Sequence, residues 1–206
     1  MTFLSVDPAT HTGWGIHHWL TGVQSGVQDF TGPKHEPVGL KLHRFRLWFE
    51  SQLQATDISV VIFEEPHHRG QSTNILLGMT AHIKELCASH DIPHVPIRSM
   101  TLKKFATGRG HADKDEMVAA AIERFPHFRE KMILYAAAHR LQQKNLTEPR
   151  TLSALTEYYS DEADALFLLA HGVVSYCLPD QQPEWCAGLA ITPPKTMKKR
   201  KKKGTP

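Results

Sequence analysis

The chain has 206 residues, 41% of them hydrophobic and 22% charged, with a formal net charge of +3; that is enough to bury one good core and too little for two full-sized domains to be the expectation. No run approaches the roughly 18 apolar residues of a membrane span, and Met1-Thr2-Phe3 lacks the basic opening of a signal peptide, so a cytoplasmic protein with no membrane partner is expected. Three cysteines, Cys87, Cys177 and Cys186, form no C-x-x-C pair, which argues against a disulfide framework and a cysteine-rich zinc site.

Phe3 to Val6 is a short β-rich run ending in Asp7-Pro8, Gly13 to Trp19 reads as a second strand, and Val23 to Phe30 as a third, bounded by Thr21-Gly22 and Thr31-Gly32-Pro33. The three predict an antiparallel meander. From Pro37 the period changes: Leu42, Phe45, Phe49 and Leu53 recur at helical spacing, with Lys41, Arg44, Arg46 and Glu50 between them. Ser59 to Phe63 is almost continuously apolar and β-branched, as a strand buried on both faces requires, and it ends in Glu64-Glu65-Pro66. Ile75, Leu76, Met79, Ile83 and Leu86 mark a second helix, with a short strand near His94 to Ile97. Three antiparallel strands followed by α/β crossovers define an α/β chain of ribonuclease-H-like fold, a mixed five-stranded sheet with helices on both faces.

Asp113 is read as the N-cap of a helix through Ile122, with Glu116 completing a capping box. Phe125 to Tyr159 is helical in places, Met132 to Leu141 above all, without a legible role. The last helix is placed from Asp161 to about Val174. Residues 1–178 are taken as one domain and 179–206 as a Pro-containing, basic, disordered tail; from Ile191 onward there are seven Lys and Arg and no acid, leaving the body mildly acidic. Such a tail supplies either nonspecific attraction to polyanions or nothing beyond a solvated terminus.

Asp7 and Glu64 each follow an apolar strand directly, at the sheet end where α/β folds present their ligand crevice. Either carboxylate alone would more often cap the next loop. In Asp161-Glu162-Ala163-Asp164, however, i and i+3 spacing puts Asp161 and Asp164 on one helix face, and Ala165, Leu168 and Leu169 turn that helix toward the core. Like charges about 4 Å apart repel by roughly 1 kcal/mol in water and about 4 kcal/mol at an effective dielectric near 20. Crowded carboxylates must therefore share protons or a cation. Oxygen-only ligands suit Mg²⁺ or Mn²⁺, and a pair of such ions can drive in-line displacement at a phosphodiester. Gly108-Arg109-Gly110-His111 is no Walker A, since Lys114 lacks the spacing and the Ser/Thr, so no nucleotide cofactor is expected. His90 and His94 lack a third ligand and read as surface.

Leu4-Ser5-Val6-Asp7-Pro8 with Thr12-Gly13-Trp14-Gly15 resembles the opening of RuvC Holliday-junction resolvases. Ile62-Phe63-Glu64 is similar to that family's second acidic strand, and Asp161 to Leu166 to its closing acidic helix. Leu102-Lys103 through Gly108, Gly110 and Lys114 resembles its two glycines set between two DNA-holding lysines. Lys104-Phe105-Ala106-Thr107-Gly108, together with Phe63-Glu64-Glu65, is most similar to divergent bacteriophage and prophage members. The resemblance implies a homodimeric, metal-dependent endonuclease in a bacterial or phage-infected cell, cutting branched DNA and four-way junctions. It implies Asp7, Glu64, Asp161 and Asp164 as ligands of two Mg²⁺ or Mn²⁺ ions and as catalytic groups. Lys103 and Lys114, with Lys104 and Arg109 in addition, become the DNA-binding candidates. Glu65 stands beside Glu64, and periodicity leaves both open. His67 and His68 occupy the loop where the family often carries a base-stacking aromatic; imidazole stacks less strongly, and His67 is an alternate site residue. A less selective branched-DNA or flap nuclease, a ribonuclease H, or a catalytically inactive DNA-binding scaffold on the same fold are the competing readings.

Overall fold

The computed structural model describes residues 1–66, 73–141 and 143–191. His67, His68 and the basic run from Lys195 lie outside them.

The chain folds as β1 (Thr2–Asp7), β2 (His11–His18), β3 (Gly22–Asp29), α1 (Val38–Ala55), β4 (Val60–Glu65), α2 (Thr73–Ser89), β5 (His94–Arg98), α3 (Ser99–Thr107), α4 (Lys114–Arg124), α5 (Pro126–Ala138) and α6 (Pro149–Tyr176), followed by two short 3₁₀ turns. The strands form one five-stranded sheet in the order β3-β2-β1-β4-β5. β1 is antiparallel to β2, with Asp7 opposite Gly13, and parallel to β4, with Val6 opposite Phe63. β3 extends the antiparallel half and β5 the parallel half. This is the mixed sheet the sequence predicts, with helices covering both faces. No helix among the described residues is long and apolar enough to cross a membrane.

The period-2 alternation of the two central strands sorts their side chains onto separate cores. Leu4, Val6, Val61 and Phe63 pack with Phe45, Phe49, Met79, Ile83 and Leu86 of α1 and α2. Phe3, Val60 and Ile62 pack on the other face with Leu166, Leu169, Ala170 and Val173 of α6 and the helices beyond it. α6 runs very close to the sheet. A Cβ on Gly172 would lie 2.4 Å from Cδ1 of Ile62, and the buried Ser5 hydroxyl donates to the Ala165 carbonyl at 2.7 Å. That bond fixes the phase of α6 against β1.

Two elements differ from expectation. Residues 99–107, to which the sequence reading assigns no element, form α3, which buries Leu102 and closes on the left-handed Gly108. Its apolar face, Leu102 with Phe105 and Ala106 at i, i+3 and i+4, is a single turn long, too short to stand out in the sequence. α6 begins twelve residues earlier than Asp161, at Pro149, with Glu148 as N-cap accepting from the Thr151 amide at 3.0 Å. The start signal was present as Glu148-Pro149, but the positions that this half of the helix buries, Thr151, Leu155, Thr156 and Ser160, are mostly polar and give no apolar stripe. The capping box at Asp113 and Glu116 forms as read.

Residues 179–191, assigned with the tail, lie against the body. Cys186 is buried, Trp185 packs 5.6 Å from the Phe125 ring and edge-on to His17 at 5.4 Å, and Arg124 donates to the Ala187 carbonyl at 2.6 Å. Burial of one thiol and partial burial of one indole explain why this stretch docks.

Candidate metal centre

Asp7 shares the side of β1 that carries Phe3 and Ser5, and Glu64 the side of β4 that carries Val60 and Ile62. Both carboxylates therefore emerge at the strand ends on the face that α6 covers, and adjacent parallel strands bring them together. Asp164 enters from α6. One carboxylate oxygen from each of Asp7, Glu64 and Asp164 lies within 4.8 Å of the other two. The acidic triad joins residues 157 positions apart in sequence through three different elements.

The electrostatics match that crowding. Burial, then the charges of Glu64, Asp164 and Asp161, push the Asp7 carboxyl well above its usual range, against the pull of Lys114. Burial, then Glu64 and Asp161, push Asp164 up to about 7, with Lys103 and Lys114 opposing. Oδ1 of Asp164 is buried and has no hydrogen-bond partner among the described residues. A buried carboxylate oxygen without a donor is costly unless a proton or cation meets it. The donor set, three carboxylates of which one carries a buried oxygen without a donor, fits a hard divalent cation such as Mg²⁺ or Mn²⁺.

Asp161 stands one turn earlier on α6 and outside the triad. It lies 3.9 Å from the Lys114 ammonium, which also donates to Ser160 Oγ at 3.2 Å. Glu65 points to the opposite side of β4 and meets Arg98 at 3.4 Å. Of the candidate DNA contacts, Lys103 donates to the Ala112 carbonyl at 2.7 Å and is near enough to lower the Asp164 pKa. Arg109 is ion-paired with Glu116, while Lys104 is exposed. Lys103 and Lys114 therefore flank the acids, and Lys104 and Arg109 lie farther out along α3 and the turn after it.

Glu162, between the two aspartates, has no accessible surface, and sequence reasoning missed it. Its Oε1 accepts from Ser25 Oγ at 2.7 Å and its Oε2 from Lys131 Nζ at 2.6 Å. With its proton spent on Glu162, the Ser25 hydroxyl can only accept from Nε2 of His127, 3.2 Å away. Helix phase was the available signal: if Asp161 and Asp164 face the sheet end, the residue between them must point elsewhere into the packed interior. The partners, on β3 and α5, could not be read from the sequence.

The sheet order, the enclosing helices and the placement of acids at the ends of β1 and β4 define a RuvC-like α/β fold of the ribonuclease-H-like type. The particular likenesses are to solved structures of Thermus thermophilus RuvC: one at 18% identity and TM-score 0.50, covering 84% of this chain and 97% of that one, and one of T. thermophilus RuvC in complex with Holliday junction substrate, at 16% identity and TM-score 0.50, covering 84% and 96%. No family model matches the chain, and no curated protein matches it.

Proposed function

We propose that this protein is a divalent-metal-dependent endonuclease that nicks branched DNA, with the four-way junction as its preferred substrate. The observation that carries the reading is the convergence of Asp7, Glu64 and Asp164 within 4.8 Å, with an Asp164 oxygen that nothing in the described protein satisfies. The likeness to a RuvC structure solved with a Holliday junction supplies the substrate class.

Asp7, Glu64 and Asp164 would hold the first ion, and Asp161, at the open edge of the cluster, would complete the site for a second. Bound Mg²⁺ or Mn²⁺ supplies Lewis acidity for in-line attack of water on a phosphodiester, breaking the P–O3′ bond to leave 5′-phosphate and 3′-hydroxyl ends. Lys114 and Lys103 bring positive charge to the rim, where a scissile phosphate needs both neutralisation and orientation. Ser5 and the Glu162 cluster do no chemistry; they hold α6 so that its acids meet those of β1 and β4. In this reading a homodimer of such sites would nick two strands of like polarity, and the protein would act in the cytoplasm as one of the divergent phage or prophage resolvases that its motifs resemble.

The test compares nicking of matched four-way, flap and linear DNA and an RNA–DNA hybrid in Mg²⁺ and Mn²⁺. The junction should be cut fastest, and Asp7→Asn should abolish cutting while junction binding survives. Equal rates on all substrates, or undiminished cutting by Asp7→Asn, would refute the reading.

A further inference from the structure

Residues 124–159 hold six Lys and Arg against three Asp and Glu, while acids outnumber bases in the rest of the first 190 residues. Elsewhere the arginines are largely spent on carboxylates: Arg44 on Glu36, Arg46 on Glu50, Arg98 on Glu65 and Arg109 on Glu116. Arg129, Arg140, Lys144 and Arg150 are exposed and make no ion pair among the described residues. Arg140 and Arg150 line one depression of about 480 Å³ together with His139. Glu148 also lines it, but its charge is engaged by the Thr151 amide at the start of α6. Arg129 and Lys144 line a second groove of about 620 Å³, whose other charged residues are Glu123 and the Arg109–Glu116 pair.

The backbone at Arg140 is strained. α5 closes with the Leu141 amide bonded to the Ala136 carbonyl at 2.8 Å and the Arg140 amide to that of Ala137 at 3.2 Å, which forces Arg140 to a φ of 55°. Glycine is the usual occupant of that position, and strain retained there by an arginine points to a use for its side chain. Beside it lies a stack of rings: His139 rests 4.0 Å from Tyr135 at 20°, and Tyr135 is 5.6 Å from Tyr158, which is 58% exposed. Open aromatic faces bordered by unpaired cations are the chemistry that holds a base and its phosphates.

We propose that α5 and the first half of α6 form a second DNA-contact surface. The four unpaired cations hold the phosphodiester backbone of one arm of the branched substrate, and the Tyr158 and His139 rings take a base left unpaired at the branch. Tyr158 is one helical turn from Asp161, close to the cutting centre. Arg150 lies eleven residues from Asp161, about 16 Å along the helix, or about five base-pair steps out along an arm. This rests on the nuclease reading above, since it assumes the same bound substrate.

The test is the salt dependence of binding to a labelled four-way junction in EDTA, with melting curves as the folding control. Arg140→Ala with Arg150→Ala, and separately Arg129→Ala with Lys144→Ala, should each reduce the slope of log affinity against log salt by about 2, at roughly 0.9 per lost phosphate contact. Tyr158→Ala should lower affinity for a fork with unpaired bases severalfold while leaving blunt duplex binding unchanged. Arg140→Gly should raise the melting temperature by about 2 °C by relieving the left-handed backbone, yet weaken junction binding; a residue kept only for structure would gain stability and lose nothing. Unchanged slopes in both double variants, with melting curves intact, would overturn the proposal. If the unaltered protein neither binds nor cuts branched DNA, the nuclease reading fails first and this surface with it.

Discussion

A Cβ placed on Gly13 would stand 1.8 Å from the carbonyl oxygen of Asp161, so β2 and α6 touch backbone to backbone where the acidic turn begins. Gly13 is also the register partner of Asp7. Any side chain here must push α6 away from the strand that delivers the first carboxylate. Gly13→Ala should destabilise the fold by about 1–3 kcal/mol, as overpacking does, and weaken Mn²⁺ binding along with it. Thermal denaturation and a Mn²⁺ titration would check both; unchanged metal affinity would show that the close approach does not position the acids.

Glu64 and Glu65 should separate cleanly. Glu64→Gln removes a carboxylate from the triad and should reduce nicking by a factor on the order of 100 or more. Glu65→Gln loses one exposed ion pair with Arg98, worth less than about 1 kcal/mol, and should leave nicking within about twofold. Nicking rates of the two variants at saturating DNA decide the matter; a reversed pattern would move the ligand to Glu65.

The acids make a definite pH prediction. Asp164 is raised to about 7 and Asp7 is raised well above the usual carboxylate value, so the metal-free folded state binds more protons than the unfolded chain. Stability must therefore fall as pH rises from the unfolded value near 4 through about 7. At roughly 1.4 kcal/mol per pKa unit, Asp164 alone accounts for a loss of a few kcal/mol. The melting temperature of the EDTA-treated protein should drop by several degrees between pH 5 and pH 8, and Asp164→Asn should flatten that drop. Mg²⁺ or Mn²⁺ should restore stability more at pH 8 than at pH 6, because at pH 6 the ion must displace protons. A pH-independent melting temperature would contradict the account.

The Glu162–Lys131 pair should respond asymmetrically. Glu162 has no exposure, whereas the Lys131 side chain is 41% exposed. Lys131→Met strands a buried carboxylate with only Ser25 for a donor and should cost about 3 kcal/mol. Glu162→Gln releases a lysine that can reach water and should cost nearer 1 kcal/mol. Denaturant melts of both variants test the order, and equal costs would mean that the pair is effectively solvated.

Much of this was written in the chain. The strand runs before Asp7 and Glu64 are apolar because both central strands are buried on both sides, and the capping box at Asp113 is a local signal that packing did not override. The same double burial is why Glu64 could not be told from Glu65. With apolar residues at every position from Val60 to Phe63, no alternation marks which face is which, and only the arrival of α6 on one side assigns them. The i, i+3 spacing predicts Asp161 and Asp164 on one face, yet the sequence could not say that Asp161 would sit 3.9 Å from the Lys114 ammonium while Asp164 joined the triad. The register of α6 depends on Ser5 and Gly13, small residues whose importance is a distance rather than a pattern.

The triad takes its members from the first strand, the fourth strand and the last helix. Its assembly thus needs contacts across 157 positions of a 206-residue chain, pairings whose loop-closure entropy makes them slow to form. Ribosomes add about 5–20 residues per second, so a nascent chain spends many seconds with Asp7 and Glu64 already in place and Asp164 not yet made. A partly synthesised copy that ends before α6 holds only two of the three carboxylates, so the triad stays incomplete until about four-fifths of the chain has been translated.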